Sequence, residues 1–160
     1  MNIFNIVKIS EENRKEVNDF LTDSWASTDM VIRGEVIDGT KLEGYVVYED
    51  NKIIGLITYM FYDNICEIVS LDSLKEKQGI GTTLINKVKE VAKENKCDII
   101  RLITTNDNIN ALGFYQKRGF HLTKLYPNAI DYTRKIKYVP LIGESNIPIR
   151  DEIELEMDLK

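Results

Sequence analysis

Two short stretches of this chain concentrate residue types that can do chemistry. In the first, Gln78-Gly79-Ile80-Gly81-Thr82-Thr83, two glycines lead into a strongly amphipathic run. Glycines at a helix N-terminus let backbone N–H groups crowd together, and the helix end adds partial positive charge. That arrangement suits a phosphate or pyrophosphate. The plainer reading is a tight turn before a helix. The second stretch runs from Asn106 to Phe120 and places an amide, Asn108, and a phenol, Tyr115, among apolar residues. The amide and the phenol can each donate and accept hydrogen bonds. Each has a plainer reading as well. Tyr115 can pack beside Phe114 and Asn108 can cap a helix, and upstream Glu67 can simply face solvent from a strand.

Other chemistry is excluded by scarcity. The chain has one histidine, His121, and two cysteines, Cys66 and Cys97. A zinc site of several imidazoles is impossible, and a Ser-His-Asp triad could use only His121. No metal is expected. The cysteines form no CxxC pair and read as free thiols at or near the core. His121 reads as a surface strand residue and Trp25 as a packing residue. The row Glu152, Glu154, Glu156 reads as a solvated strand face.

The elements that must position these residues follow from periodicity. Ile3 to Ile9 suggests a short strand. Ser10 fits an N-cap for a helix over Glu11 to Thr22. Asp23 to Glu43 reads as a short helix and loops. Tyr45–Tyr48, Ile53–Phe61 and Ile65–Leu71 form an antiparallel meander with turns at Glu49–Lys52 and Asp63-Asn64, and Gly55 suggests a bulge. Ile80, Leu84, Ile85, Val88, Val91 and Ala92 lie on one face of a helix over Gly79 to Asn95. Asp98 to Thr104 is apolar enough for a sheet interior. Asn106 or Asp107 caps the next helix, which Gly119 ends. Phe120 to Leu125 is a strand, Pro127 to Ile149 a long connection, and the alternating C-terminal segment a half-buried strand. The order is that of a mixed-sheet α/β domain spanning residues 1–160.

Length and charge set outer bounds. A chain of 160 residues, 43% hydrophobic, is the size of one domain with a self-sufficient core. A net charge of −5 disfavours nucleic acid, which needs a basic face, and is compatible with a cationic acceptor. No apolar run approaches the ~20 residues of a membrane span, and no leader pattern opens the sequence. A soluble cytoplasmic protein is the expectation.

The glycine loop lacks the G-x-x-x-x-G-K-[ST] pattern of a P-loop. Leu84 stands where a dinucleotide fingerprint needs its third glycine, and a meander precedes it instead of a βαβ unit. The remaining reading comes from both stretches together. Asn108, Ala111, Phe114, Tyr115, Gly119 and Phe120 match Asn-x-x-Ala-x-x-Phe-Tyr-x-x-x-Gly-Phe, with one helix and one strand between this signature and Gly79-Ile80-Gly81. In both motifs and their spacing the chain resembles the GCN5-related N-acetyltransferases, most closely over Gly44 to Phe120.

The resemblance implies a fold and a reaction. The fold is α/β: a central, mostly antiparallel sheet splayed at two parallel strands and flanked by helices. The co-substrate is acetyl-CoA. Its pyrophosphate is expected on Gln78, Gly79, Ile80, Gly81 and Thr82, and its pantetheine arm along Val69 to Ser73, including Leu71, Asp72 and Ser73. Asn108 and Ala111 would contact the arm. Tyr115 would protonate the departing thiolate, Glu67 or a water chain would deprotonate the amine, and a backbone N–H of Leu71 to Ser73 would polarise the thioester. The acceptor would be a small-molecule or peptide amine, the protein a monomer or homodimer. A departure is that Glu76 and Lys77 occupy places where the family usually has Gln or Arg, often followed by Gly. It leaves open a second reading, a coenzyme A-binding or regulatory module without catalysis.

Overall fold

The computed structural model describes residues 4–75 and 78–160; Glu76 and Lys77, and with them that departure, lie outside the described residues. The chain runs β1 (Asn5–Lys8), α1 (Arg14–Trp25), β2 (Asp29–Ile32), β3 (Glu35–Asp38), β4 (Glu43–Glu49), β5 (Lys52–Tyr62) and β6 (Ile65–Ser73). It continues through α2 (Ile80–Glu94), β7 (Ile99–Thr105), α3 (Ile109–Lys117), β8 (His121–Tyr126), α4 (Ala129–Thr133) and β9 (Glu152–Asp158). Seven strands form one sheet in the order β1-β4-β5-β6-β7-β9-β8, and β2 and β3 form a separate hairpin. Among the described residues only β6 and β7 pair in parallel.

That parallel pair is short. It runs from Ile65 opposite Ile99 to Ile68 opposite Leu102 and then stops. Beyond it, β6 stays paired to β5 and β7 to β9, so the two strands part and the sheet opens. A bulge accompanies the parting. Tyr59 pairs with Ile68 and Thr58 with Ser70, leaving Val69 as the extra residue. A bulge shifts side-chain parity. Glu67, Ser70 and Asp72 thereby fall on one face, opposite Met60, Thr58 and Leu56.

Each face of the sheet has its own core. Ile80, Leu84, Ile85, Val88 and Ala92 of α2 pack on Cys66, Ile68, Ile100, Leu102 and Leu155. Val17 and Leu21 of α1, with Met30 of the hairpin, pack on Val46 and Leu56. Both cysteines are free and buried, as their spacing suggested. The bulge expected at Gly55 is found beside it, where the β4–β5 register shifts between Val47 and Tyr48. The glycine serves a close approach: a Cβ there would lie 2.5 Å from Ile80 Cγ2.

Several expectations are corrected. The first helix starts at Arg14, not Glu11, because Asn13 rather than Ser10 organises the entry. Its Oδ1 accepts from Ser10 N at 2.8 Å while its Nδ2 donates to Lys8 O. Asp23 to Glu43, expected as a short helix and loops, holds the end of α1, a β-hairpin and a 3-10 turn at Gly39–Lys41. Met30 and Ile32 alternate inward, and Arg33 and Gly34 take positive φ values of 50° and 78°, the two-residue turn that suits strand twist. The second signature helix is capped by Asn108, not Asn106 or Asp107. The long connection after Pro127 contains α4. The glutamate row of β9 is not a solvated face, since Glu152 and Glu154 are 3% and 7% exposed. No described helix is long and apolar enough to cross a membrane.

Candidate active site

A cleft of about 760 Å³ opens between the N-terminus of α2, the inner face of α3 and the freed end of β6. Gly79, Ile80, Gly81, Thr82, Ala111 and Tyr115 line it, with Leu71 and Ser73 from the strand. Gly79 sits at φ +79°, and a Cβ there would meet nothing within 4 Å, so the loop faces open space. Among the described residues no side chain caps α2, and no acidic residue lies in its first turn. Its leading N–H groups are thus free for an anion. Lys75, Lys117 and Arg118 border the same cleft. Uncapped amides with cations around them fit the phosphates of a coenzyme A.

Arg118 ties the cleft together. Its Nε donates to Thr82 Oγ1 at 2.9 Å, its Nη1 donates to Phe114 O, and its guanidinium lies 3.8 Å from the Phe114 ring centroid. Across the same contact a Cβ on Gly81 would lie 2.9 Å from Phe114 Cζ, so the glycine lets α2 and α3 approach. Asn108 spends its amide locally. Oδ1 accepts from Ala111 N at 3.4 Å and Nδ2 donates to Thr104 Oγ1 at 3.3 Å.

The opposite face of the sheet carries a second cleft, of about 690 Å³. Its floor is ionic. Glu67 is fully buried, and its Oε1 accepts from Arg33 Nη1 at 2.6 Å and from Tyr62 OH at 2.8 Å. Its Oε2 is buried with no partner among the described residues. Arg33 arrives from the hairpin turn and also reaches Glu154 Oε2, at 3.0 Å from Nη2, while its own N–H donates to Glu152 Oε1. Arg101 donates to Glu156 Oε2 at 2.6 Å. Burial raises the Glu152 pKa, and the Arg33 contacts offset only part of that. Burial also opposes charge on Glu154, but hydrogen bonds from Thr123, Tyr126 and Arg33 outweigh it and hold that carboxyl below its usual value.

Between the clefts lies the gap where β6 leaves β7. Tyr115 reaches it from α3, 9% exposed, its ring edge-on to Phe114 and Phe120. Burial first, and the charge of Asp72 second, push its phenol above the ordinary value, so it stays protonated at neutral pH. Asp72 stands on the other face, where Trp25 Nε1 donates to its Oδ2 at 2.9 Å. Trp25 is 39% exposed, so it is less a packing residue than a hydrogen-bond donor at the edge of the site.

Of the residues expected from the sequence, the structure brings Leu71, Ser73, Gly79 to Thr82, Ala111 and Tyr115 into one cleft, leaves Gln78 exposed beside it and Asn108 outside its lining, and puts Asp72 and Glu67 on the other face of the sheet. The sequence reading missed Arg33, Tyr62, Arg101 and Arg118. Arg118 had a signal, a cation inside the second signature. Arg33 had none, because its partners lie 34 and 121 positions away.

The comparisons with known proteins agree with this geometry. Residues 9–120 match the model of the acetyltransferase (GNAT) family. The chain belongs to that family, and N-acetyl transfer is its activity. An uncharacterized Bacillus subtilis protein, YxbD, is 45% identical over 158 residues, 98% of this chain and 99% of its own length. A Bacillus subtilis acetyltransferase crystallised with CoA superposes with a TM-score of 0.71 at 22% identity, covering 99% of this chain and 100% of its own. A GNAT acetyltransferase from Elizabethkingia anophelis with acetyl-CoA bound gives 0.69 at 24% identity, covering 99% of each chain. The fold implied by the motifs is the one observed.

Proposed function

We propose that the protein moves the acetyl group of acetyl-CoA directly onto an amine, with both substrates bound at once. The observation that carries this reading is the pair of clefts on opposite faces of the sheet, one reaching β6 at Leu71 and Ser73 beyond its parting from β7, the other at Glu67 just before it. Acetyl-CoA is the substrate of the α2–α3 cleft. The Gly79 to Thr82 amides receive its pyrophosphate, and the unpaired edge of Val69 to Ser73 offers backbone groups to the arm, as an added strand would. A backbone N–H of Leu71 to Ser73 would polarise the thioester carbonyl.

The acceptor enters the ionic cleft. Glu35, Glu67 and Glu154 line it against Arg33, Arg101 and Lys124, and Glu152 and Glu156, bonded to the two arginines, tip the neighbourhood negative, which favours a protonated amine. Glu67, expected from the sequence as a base, is better suited to holding Arg33 at the floor of the cleft, since both its carboxylate oxygens are buried. Protonating it would break its ion pair and leave the Arg33 guanidinium less compensated. Tyr115 supplies the proton that the departing thiolate needs.

The test is thiol release from acetyl-CoA against a panel of small amines and peptide N-termini. Acetyl-CoA at 100 times its Kd should also stabilise the fold by about 2.7 kcal/mol. Stabilisation without thiol release from any amine would replace this reading with a coenzyme-binding module, and no stabilisation would remove the coenzyme itself.

A further inference from the structure

We propose that Asp72, held by Trp25, is the base that takes the proton from the acceptor amine. This rests on the acetyl-transfer reading above and assigns a residue within it.

The bulge in β6 is the first support. Without Val69 as the extra residue, strand alternation would put Asp72 on the face opposite Glu67. With it, Glu67, Ser70 and Asp72 form one line along the acceptor face, running from the last parallel pair into the splayed segment. Ser70 in the middle of that line is closed off, its hydroxyl bonded to Thr58 Oγ1 at 2.6 Å. Leu71 and Ser73, the flanking residues, line the coenzyme cleft on the other side. Asp72, not itself a lining residue of the ionic cleft, is therefore a carboxylate on that face of the sheet between two residues that line the coenzyme cleft.

The second support is orientation. Trp25 Nε1 donates to Oδ2 only, and Oδ1 has no hydrogen bond among the described residues. One oxygen is fixed and the other is free to receive a proton. Asp72 faces Trp25 from α1 and the Tyr115 phenol from α3, and Lys137 donates to the Trp25 and Asp29 carbonyls nearby. Glu67 is poorly suited to the same task because Arg33 and Tyr62 share its Oε1.

Burial raises the Asp72 carboxyl to about 6, and the Trp25 bond draws it down only in part. A base near that value is mostly ionised at pH 7 and still holds a proton well enough to pull one from an ammonium. The step balances. The ammonium gives one proton to Asp72 Oδ1, and the freed nitrogen pair attacks the thioester carbon. A C–N bond forms and the C–S bond breaks. Tyr115 protonates the thiolate, and the nitrogen's surplus proton returns to the phenolate. Asp72 releases its proton to water. Ammonium and acetyl-CoA become amide, CoA thiol and one proton.

Trp25 is the chain's one tryptophan, so its fluorescence reports on this carboxyl without any acceptor. In the wild type the emission should titrate with a midpoint near pH 6. Asp72→Asn, which keeps an acceptor for the indole N–H, should give a flat profile over pH 5–7.5, and Glu67→Gln should leave the midpoint in place. Thiol release is then followed with two probes, ethanolamine, which is protonated at neutral pH, and hydroxylamine, which is largely uncharged. Asp72→Asn should slow the first reaction 100-fold or more and the second less than tenfold. Trp25→Phe removes a bond that favours the charged form, so the acid limb of the ethanolamine profile should move to higher pH. A wild-type emission that does not titrate overturns the inference. So does an acid limb that survives in Asp72→Asn and vanishes in Glu67→Gln. Loss of thiol release with both probes in the wild type, with the emission still titrating near 6, would count against acetyl transfer to these amines and also overturn Asp72 as its base.

Discussion

Arg33 and Glu67 are 34 residues apart in sequence and 2.6 Å apart in space, and their ion pair pins the β2–β3 hairpin to the sheet. The hairpin makes no strand pairing with that sheet, so the guanidinium is a main polar tie between them.

Arg33→Ala should therefore act on stability and on the acceptor cleft together. It strands a fully buried carboxylate that keeps only the Tyr62 hydroxyl. Removing one partner of a buried pair costs about 3–5 kcal/mol, and Arg33 is partly exposed, so the lower end applies. Arg33→Lys should recover little, because one ammonium cannot reproduce the fork that spans Glu67 and Glu154. Thermal melts of Arg33→Ala, Glu67→Gln and the double variant check this. The double variant should be less destabilised than the sum of the singles by at least 1 kcal/mol; strict additivity would mean the pair is idle.

Tyr115→Phe separates chemistry from packing. The ring is buried edge-on to Phe114 and Phe120, and phenylalanine keeps those contacts. Turnover should fall about 10²-fold or more, as for loss of a general acid. The acetyl-CoA Kd should change less than threefold. Equal losses in both would assign the tyrosine to the pocket wall.

Gly55 and Gly81 test whether the coenzyme cleft depends on close helix approach. A Cβ on Gly55 would collide with Ile80 at the start of α2, and one on Gly81 would press on Phe114 of α3. Overpacking of this kind costs about 1–3 kcal/mol. Gly55→Ala should lower the melting temperature and weaken acetyl-CoA binding together, since it moves the helix end that carries the free amides. Gly79→Ala meets no atom but must hold φ +79°, so it should cost about 1 kcal/mol of backbone strain. Calorimetric titration with acetyl-CoA of all three variants distinguishes the two effects.

These variants also mark what the sequence could disclose. The cleft between α2 and α3 was legible because Gly79 to Thr82 lie at the start of α2 and the Asn108 to Phe120 signature spans α3 and its ends, each a short continuous stretch of sequence. The meander was legible for the same reason. The acceptor side was not. Its ions come from the turn of a hairpin, from β6, from β7 and from β9, and the pairing of Arg33 with Glu154 spans 121 positions. Alternation on β9 identified a strand correctly but could not say which face was covered, so Glu152 and Glu154 read as solvated. The bulge at Val69, which decides where Asp72 points, left no glycine to announce it.

Asp72 gives the last prediction, in pH. Its folded pKa lies at about 6, above the ordinary carboxyl value of 3.8. Around and between those values the native state binds more protons than the unfolded chain, so stability falls as pH rises from about 3 to above 6. The penalty is fully present at pH 8 and mostly gone at pH 4. Each unit is worth about 1.4 kcal/mol, which sets a ceiling of about 3 kcal/mol and, for a partly exposed carboxyl, an expected effect of about 1–2. Asp72→Asn should accordingly be more stable than the wild type at pH 8 and close to it at pH 4, measured by urea melts at both. A residue kept in the fold at that cost, and whose removal slows turnover, is one retained for chemistry. If Asp72→Asn is instead destabilised at pH 8, the carboxylate is a structural partner of Trp25, and its raised pKa has no bearing on the reaction.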